Sequence, residues 1–190
     1  TLSAAAAKRF RSRAHRRAHI SQTGCGLCGK ELIEDLYRDL HPLPDGPPIS
    51  AAAARAGLMS LDQHQPLRAA TRAAHAAALY DRRAQPLIAI EDVGRHNALD
   101  KCIGRLFLDQ QLPHIGFLVM SSRLSYELVQ KAARARIPII LGNSRPTALA
   151  VALAAKLNMT LATRAPGDGL YIFTGQERLR DTPTTSDGRP

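Results

Sequence analysis

The chain contains no tryptophan, and aromatic residues make up only 4% of its 190 residues. Proteins that bind single-stranded nucleic acid commonly stack bases on aromatic side chains, but only Phe10 lies among the basic residues of the opening segment. We therefore do not expect nucleic acid as a partner. The sequence also lacks an apolar run that could span a bilayer and a signal-peptide pattern at its start, so it predicts no membrane partner.

Cysteine is scarce as well. The chain has three cysteines, two of them close together, and this is not the disulfide framework of a small secreted protein. We therefore expect a cytoplasmic protein in a reducing compartment. Because the chain opens on Thr1 and not on methionine, we expect it to be a fragment or a processed product.

Acidic residues are absent before Glu31, although the formal net charge of the whole chain is +10. The basic residues of this opening segment are Lys8, Arg9, Arg11, Arg13, Arg16 and Arg17. Such a cluster attracts nucleic acid, anionic lipid or a polyphosphate ligand. It is equally typical of a solvated arm that keeps a protein soluble, and charge alone does not choose between these roles.

Two of the thiols, Cys25 and Cys28, lie in a glycine-spaced loop, Thr-Gly-Cys-Gly-Leu-Cys-Gly at residues 23–29. Glycine lets such a loop bend and approach another surface closely. A Cys-x-x-Cys pair is also half of a structural zinc site, but the rest of the chain offers only Cys102 and scattered histidines. The pattern favours reactive thiols without a tightly held metal. A helix predicted to start soon after Gly29 would stabilise a thiolate near its N-terminus.

The chain divides into three predicted segments. Residues 1–48 form a basic arm with the cysteine loop and a short helix, residues 49–175 form the main domain, and residues 176–190 form a polar tail. In the main domain, helices predicted at 50–59, 66–80, 98–106, 125–134 and up to 155 alternate with strands predicted at 87–90, 115–120, 137–141, 159–162 and 170–173. This alternation predicts an α/β fold, a layered and mostly parallel or mixed sheet with helices on both faces.

Polar side chains follow three of the predicted strands, where ligands bind in α/β sheets. These candidate site residues are Asp92, Gly94, Arg95, His96, Asn97 and Lys101 after the first strand, Ser122, Arg123 and Ser125 after the second, and Asn143, Ser144 and Thr147 after the third. Arginines, hydroxyls and helix N-termini together suit phosphate groups and heterocycle edges. Ordinary helix capping is the alternative for each turn. His96 fits either a general acid or base or a structural histidine.

Four motifs occur in an order that closely resembles the FdhD family, the sulfur-carrier proteins needed to make active formate dehydrogenase. They are the cysteine loop at 23–29, Glu-Asp-Val-Gly-Arg-His-Asn-Ala-Leu-Asp-Lys at 91–101, Ser-Arg-Leu-Ser-Tyr-Glu-Leu at 122–128 and Pro-Thr-Ala-Leu-Ala at 146–150. The resemblance runs from about Thr23 to Gly175, and the motif at 91–101 is highly specific.

The resemblance implies a cytidine-deaminase-like α/β domain without the deaminase zinc motif, forming a homodimer. It implies a sulfurtransferase in which Cys25 carries a persulfide received from a cysteine desulfurase and Cys28 assists. The bound substrate would be Mo-bis(molybdopterin guanine dinucleotide) destined for the catalytic subunit of formate dehydrogenase, and the resemblance also admits a guanine nucleotide at that site. Further cofactor contacts would fall on Leu170, Tyr171, Ile172, Phe173, Thr174 and Gly175, although alternation also predicts Tyr171 and Phe173 as core strand residues.

The chain departs from the family pattern in three places. Thr71 is followed by Arg-Ala-Ala before His75, where the family usually has glycine after the threonine, and Arg145 stands before Pro146, where a small residue is common. Family members also have a further N-terminal region before the cysteine loop, which we expect this chain to lack. Two other functions compete with sulfur transfer. One is a dithiol oxidoreductase that cycles Cys25 and Cys28 through a disulfide, and the other is a zinc-stabilised nucleic-acid-binding module.

Overall fold

A computed structural model describes residues 40–167 and 169–180. The predictions for the basic arm, for the loop with Cys25 and Cys28, for the short helix after it and for the tail beyond residue 180 therefore lie outside the described residues. Residues from Leu40 onward cluster as a unit separate from residues 1–39.

The described part contains five α-helices, three 3-10 turns and eight strands. The helices are α1 (Ala51–Ser60), α2 (Pro66–Thr71), α3 (Arg95–Leu108), α4 (Tyr126–Arg134) and α5 (Ala148–Lys156), and the 3-10 turns are Leu61–His64, Leu112–His114 and Gln176–Arg178. The strands are β1 (Ile49–Ser50), β2 (His75–Tyr80), β3 (Pro86–Asp92), β4 (Phe117–Arg123), β5 (Ile139–Ser144), β6 (Thr160–Arg164), β7 (Leu170–Thr174) and β8 (Leu179–Arg180).

Six strands form one mixed sheet in the order β3-β2-β4-β5-β6-β7, while β1 and β8 pair in parallel as a separate ribbon. Strands β4, β5 and β6 are parallel, and β7 is antiparallel to β6. Because β2 is antiparallel to both β3 and β4, β3 runs in the same direction as the three parallel strands. Four strands therefore end at one edge of the sheet.

The core lies on both faces of this sheet. On one face, α1 packs its small side chains against β2 and β4, where the rings of Tyr80 and Phe117 stack with centroids 4.9 Å apart. On the other face lie α3, α4 and α5, with the Cys102 thiol donating to the Ala77 carbonyl at 3.3 Å. The predicted α/β class, a mixed sheet covered by helices, is confirmed.

The predicted helix at 66–80 is wrong in its second half. Helix α2 ends at Thr71, Arg72 adopts a left-handed conformation with φ of 55°, and His75–Tyr80 form the strand β2. Ala76, Ala77 and Ala78 are 0% exposed at the centre of the sheet. Burial between two neighbouring strands has overridden the high helix propensity of alanine.

Parts of the first and last predicted segments contribute to the fold of the described residues. The segment before residue 49 contributes to the core, since Leu43 is 4% exposed and its amide donates to the Leu157 carbonyl at 2.9 Å. Residues 176–180, predicted as tail, contain the buried Arg178 and Leu179 and the strand β8. Apolar burial and the pairing of β8 with β1 hold both segments in the fold.

Candidate functional site

The three polar turns predicted from sequence lie along one edge of the sheet, at the carboxyl ends of β3, β4 and β5. The first residue of β2 and the first residues of β7 reach the same edge because these strands run in the opposite direction. Helices α3, α4 and α5 begin just beyond it. We call this line of strand ends and helix starts the carboxyl edge. Ligands of open α/β sheets bind at such an edge.

Asp92 organises the first turn. Its Oδ1 accepts from the Gly94 amide at 2.8 Å and from Asn97 Nδ2 at 3.3 Å, and its Oδ2 accepts from Lys101 Nζ. The Lys101 ammonium, with the Gly94 amide, lowers the pKa of Asp92 to about 2. Asp92 is therefore ionised at neutral pH, and its contacts with Asn97 and Lys101 hold the loop before α3 in shape.

Two histidines flank this turn in the neutral form. Burial, with the nearby cations Arg68 and Arg95, lowers the pKa of His75. Burial and Arg95 also lower the pKa of His96, although Glu127 opposes them. Neutral imidazole can both donate and accept a hydrogen bond, so each side chain is suited to a polar ligand near pH 7.

The second and third turns contain one residue that caps a helix and two residues that are candidate ligand contacts. Thr147 Oγ1 accepts from the Ala150 amide at 3.2 Å, so capping accounts for Thr147. Ser125 stands before α4 without a side-chain cap bond. Ser125 Oγ and Asn143 Oδ1 are both buried and have no hydrogen-bond partner among the described residues. Capping does not explain these two side chains.

Unpartnered buried polar atoms concentrate at the carboxyl edge. Among the described residues seven such side-chain atoms occur, and five of them are on residues of this edge: His75 Nδ1, Arg95 Nε, Ser125 Oγ, Asn143 Oδ1 and Thr163 Oγ1. Buried polar groups in native proteins are nearly always paired. A set of donors and acceptors at one edge is what a polar ligand with an anionic group needs.

His75 and Thr163 were missing from the predicted site. His75 was assigned to a helix, and Thr163, which is 1% exposed, follows the strand predicted at 159–162 and is the fourth residue of β6. The departure from the family pattern between Thr71 and His75 was the one signal that pointed to His75.

Other predicted residues have simpler positions. Ser122 Oγ donates to the Arg123 carbonyl at 3.1 Å, and the Arg123 side chain is exposed at the end of β4. Ser144 ends β5 half-buried. The predicted helix start at Pro146 is wrong by two residues, because Thr147 is the N-cap and α5 begins at Ala148.

The predicted site residues at 170–175 lie along β7, so some are at the carboxyl edge and others at the opposite edge of the sheet. Leu170 and Tyr171 begin β7 at the carboxyl edge, and the Arg145 guanidinium lies 5.5 Å from the centre of the Tyr171 ring. Thr174 and Gly175 lie at the opposite end of β7, where Thr174 Oγ1 donates to the Met159 carbonyl at 2.8 Å and the Gly175 carbonyl accepts from Thr160 at 2.6 Å. The structure does not bring these two residues together with the rest.

Strand β7 is exposed. Tyr171, Ile172 and Phe173 are 44%, 42% and 38% exposed, so the interpretation of Tyr171 and Phe173 as core residues is wrong. The strand forms the last member of the six-stranded sheet, and both of its faces carry apolar side chains into solvent.

Within residues 40–167 and 169–180, no group of three or more His, Cys, Asp or Glu side chains could hold a metal ion. No helix of that part is long and apolar enough to cross a membrane. Cys25 and Cys28, the predicted catalytic residues, lie outside it.

A family model described as FdhD/NarQ matches residues 2–180. The chain belongs to the FdhD/NarQ family. The matched residues include the three polar turns of the carboxyl edge and the segment that contains the two loop cysteines.

Two relatives illustrate how this FdhD/NarQ chain compares with whole proteins. It is 42% identical over 185 residues to the sulfur carrier protein FdhD of Variovorax paradoxus strain S110. The alignment covers 97% of this chain and 66% of the relative. It is 46% identical over 164 residues to the sulfur carrier protein FdhD of Chromobacterium violaceum, covering 84% of this chain and 60% of the relative. The chain thus spans about two thirds or less of these relatives.

A solved structure shares the fold of this FdhD/NarQ chain. The crystal structure of a formate dehydrogenase accessory protein from Desulfotalea psychrophila matches with a TM-score of 0.69 at 28% sequence identity. The match covers 77% of this chain and 62% of the other.

Proposed function

We propose that this protein is a sulfurtransferase that carries sulfur on Cys25 and delivers it to a molybdenum cofactor for the maturation of formate dehydrogenase. The observation that carries the proposal is the group of donors and acceptors at the carboxyl edge that have no partner among the described residues, in a chain of the FdhD/NarQ family. Family membership supports the carrier role, and the edge supports a polar, anionic ligand. The protein would act in the cytoplasm as a homodimer with a cytidine-deaminase-like fold.

The acceptance step is a thiol–persulfide exchange. The Cys25 thiolate attacks the outer sulfur of a persulfide on a cysteine desulfurase, a new S–S bond forms on Cys25, and the desulfurase cysteine leaves as a thiolate. Glycines on both sides of Cys25 in the sequence favour such a reaction because glycine lets a loop bend and approach another surface closely. Cys28 would assist as a second thiol of the same loop.

The delivery step returns Cys25 to a thiolate. The outer sulfur leaves as a sulfane sulfur, the electron pair of the broken S–S bond stays on Cys25, and the reduced acceptor supplies the pair for its new bond to sulfur. The acceptor is the substrate Mo-bis(molybdopterin guanine dinucleotide).

The carboxyl edge fits the guanine dinucleotide part of this substrate. Asn143 Oδ1 is an acceptor and the hydroxyls of Ser125 and Thr163 can donate or accept, which suits the edge of a heterocycle. Arg95, whose Nε has no partner in the part of the chain that the structure describes, and the start of α3 favour the negative charge of a phosphate. His75 completes the set as a neutral donor or acceptor.

Intact-mass measurement after incubation of the reduced protein with a cysteine desulfurase and cysteine tests the carrier role. We expect a gain of one sulfur that Cys28→Ala and Cys102→Ala retain and Cys25→Ala loses. No gain in any form, with loss of two hydrogens on mild oxidation, would contradict the proposal and favour the dithiol oxidoreductase. Bound zinc and salt-dependent RNA binding would favour the nucleic-acid-binding module.

Titration with guanosine diphosphate tests the ligand site separately. Ser125→Ala and Asn143→Ala each remove one hydrogen-bond partner of a buried ligand, so we expect binding weaker by roughly tenfold. Gln176→Ala, exposed at the opposite edge, is the matched control and should bind as the wild type does. Equal affinity in all forms would rule out the carboxyl edge as the nucleotide site.

A further inference from the structure

A cleft lies at the opposite edge of the sheet, where β4, β5 and β6 begin. It has a volume of about 460 Å³, within the roughly 300–1,000 Å³ of small-molecule sites. Strand β4 spans seven residues between the two edges, which is about 20 Å at the usual rise per residue. This cleft, which we call the amino-edge cleft, is therefore separate from the site proposed for the molybdenum cofactor.

Among the described residues, four arginines and one acid, Asp45, line the amino-edge cleft. The arginines are Arg82, Arg134, Arg136 and Arg178, so the formal charge of the lining is four positive minus one negative, or +3. The side chains of Arg82, Arg134 and Arg136 are exposed and make no ion pair with another described residue. Three cations without a counter-charge in the described part of the chain favour an anionic occupant.

The fourth arginine is buried, which is costly for a charged group without an opposite charge. Arg178 is 4% exposed. Its Nη2 donates to the carbonyls of Pro44 at 2.9 Å and Asn158 at 3.0 Å, both neutral acceptors. Its Nε is buried and finds no partner among the described residues. Asp45 Oδ1 is 3.8 Å away on a side chain that is 94% exposed, so water largely screens that pair.

Two of the guanidinium groups converge beside Gly46. A Cβ placed on Gly46 would lie 3.7 Å from Arg178 Nη1 and 3.7 Å from Arg82 Nη2. The planar guanidinium fork matches the oxygens of a phosphate group and binds them through charge-assisted hydrogen bonds. The two arginines thus approach one point from two different elements, as the two sides of a phosphate site do.

The rest of the lining is apolar and comes from Leu43, Pro44, Leu112, Pro113, Ile115 and Pro138. An apolar wall beside a cationic point suits a small organic molecule with a phosphate at one end. We propose that the amino-edge cleft binds a small phosphate-bearing molecule, with its phosphate between Arg82 and Arg178 beside Gly46. This proposal does not depend on sulfur transfer.

Calorimetric titration of the full chain with inorganic pyrophosphate at constant ionic strength tests this site. Arg82→Gln removes one charge-assisted contact and should weaken binding about tenfold or more. Arg83→Gln makes the same charge change one residue away, on a side chain outside the cleft lining, and should bind as the wild type does. Absence of saturable binding, or equal losses in the two variants, would overturn the proposal.

A second pair of variants probes the same point without removing an arginine. Gly46→Glu places a tethered carboxylate beside both guanidinium groups and should compete with pyrophosphate, whereas Gly46→Gln, of equal size and neutral, should retain more of the binding. Equal affinities of the two Gly46 variants would contradict the assignment.

Arg95→Gln, at the carboxyl edge, distinguishes this cleft from the proposed cofactor site. Because the carboxyl edge is itself proposed to bind phosphate, Arg95→Gln should remove only pyrophosphate binding at that edge and keep the saturable binding that depends on Arg82. Binding that is lost entirely in Arg95→Gln but kept in Arg82→Gln would overturn the amino-edge cleft while leaving the cofactor site standing. Binding of an acidic peptide that depends on Arg82, without any binding of pyrophosphate, would replace the phosphate ligand by a protein partner.

Discussion

His75 and Asp92 face each other across the antiparallel strands β2 and β3, as the first residue of one strand and the last residue of the other. This register places a neutral imidazole beside the loop that leads into α3. The Asp92 carboxylate accepts hydrogen bonds from Gly94, Asn97 and Lys101. His75 Nδ1 has no partner among the described residues. The carboxylate therefore shapes the carboxyl edge, and the imidazole is left for a ligand.

Lys101→Met should raise the pKa of Asp92 from about 2 toward its ordinary value of 3.8, because the Lys101 ammonium is the largest cause of the lowering. The Gly94 amide still favours the carboxylate, so we expect an incomplete return. An acid titration that follows the NMR chemical shift of the Asp92 carboxyl carbon would measure this pKa. Lys131→Met, which removes the partner of Asp100 instead, should leave the pKa of Asp92 unchanged. An unaltered Asp92 in Lys101→Met would contradict the ion pair.

The free energy of unfolding should fall as the pH is lowered below about 6.5, the ordinary pKa of histidine. The folded pKa of His75 and that of His96 lie below the ordinary 6.5, so between the folded and unfolded pKa values the unfolded chain binds more protons. The free energy of unfolding then rises with pH in that window and levels off above about 6.5.

Urea unfolding between pH 5 and pH 8 would measure this slope. His75→Gln and His96→Gln remove one titrating group each and should flatten it. A slope of the opposite sign would show that these imidazoles gain protons on folding.

The alternation of helices and strands was sufficient to predict the α/β class, because amphipathic helices and short apolar strands follow from local periodicity. Strand β2 could not be predicted this way. Its alanines favour a helix locally, and only burial between β3 and β4 makes them a strand. The same error removed His75 from the predicted site. The pairing of β8 with β1 joins residues about 130 positions apart, which no local pattern reveals.

The polar turns were predictable because arginine, serine and asparagine after an apolar strand are visible in sequence. The sequence did not predict which of these residues cap helices, because capping depends on the orientation of one side chain. Thr147 forms a cap bond and Ser125 does not, although both residue types are good caps.

Gly175 should tolerate no side chain. Its φ is +64°, and a Cβ would lie 2.7 Å from Thr160 Oγ1 and 2.8 Å from the Met159 carbonyl. Gly175→Ala should therefore lower the free energy of unfolding by about 2–4 kcal/mol, from backbone strain and overpacking together. Gly167 has φ of +65° and open space around it, so Gly167→Ala should cost only about 1 kcal/mol. Chemical denaturation of both variants would measure the difference, and equal losses would mean that the Thr160 contact is unimportant.

The exposed apolar strand β7 should mediate self-association. Exposed edge strands with apolar side chains pair readily with other chains, and Ile172 is 42% exposed. Ile172→Asp should shift the protein toward monomer in sedimentation velocity. Leu108→Asp, at the 77% exposed end of α3, is the matched control and should not. A wild-type protein that is monomeric at all concentrations would contradict the predicted homodimer.

Cys102 should take no part in sulfur transfer. It is 0% exposed, its thiol donates to the Ala77 carbonyl at 3.3 Å, and burial raises its pKa to about 12. Since the thiolate is the nucleophile, Cys102 should resist iodoacetamide at pH 7.5 in the native protein and react only after denaturation. Peptide mass mapping of the alkylated chain would show this, with Cys25 and Cys28 as the thiols that react first. Alkylation of native Cys102 at the rate of the loop cysteines would mean that α3 opens readily, and sulfur loading would then have to be reassigned among three thiols.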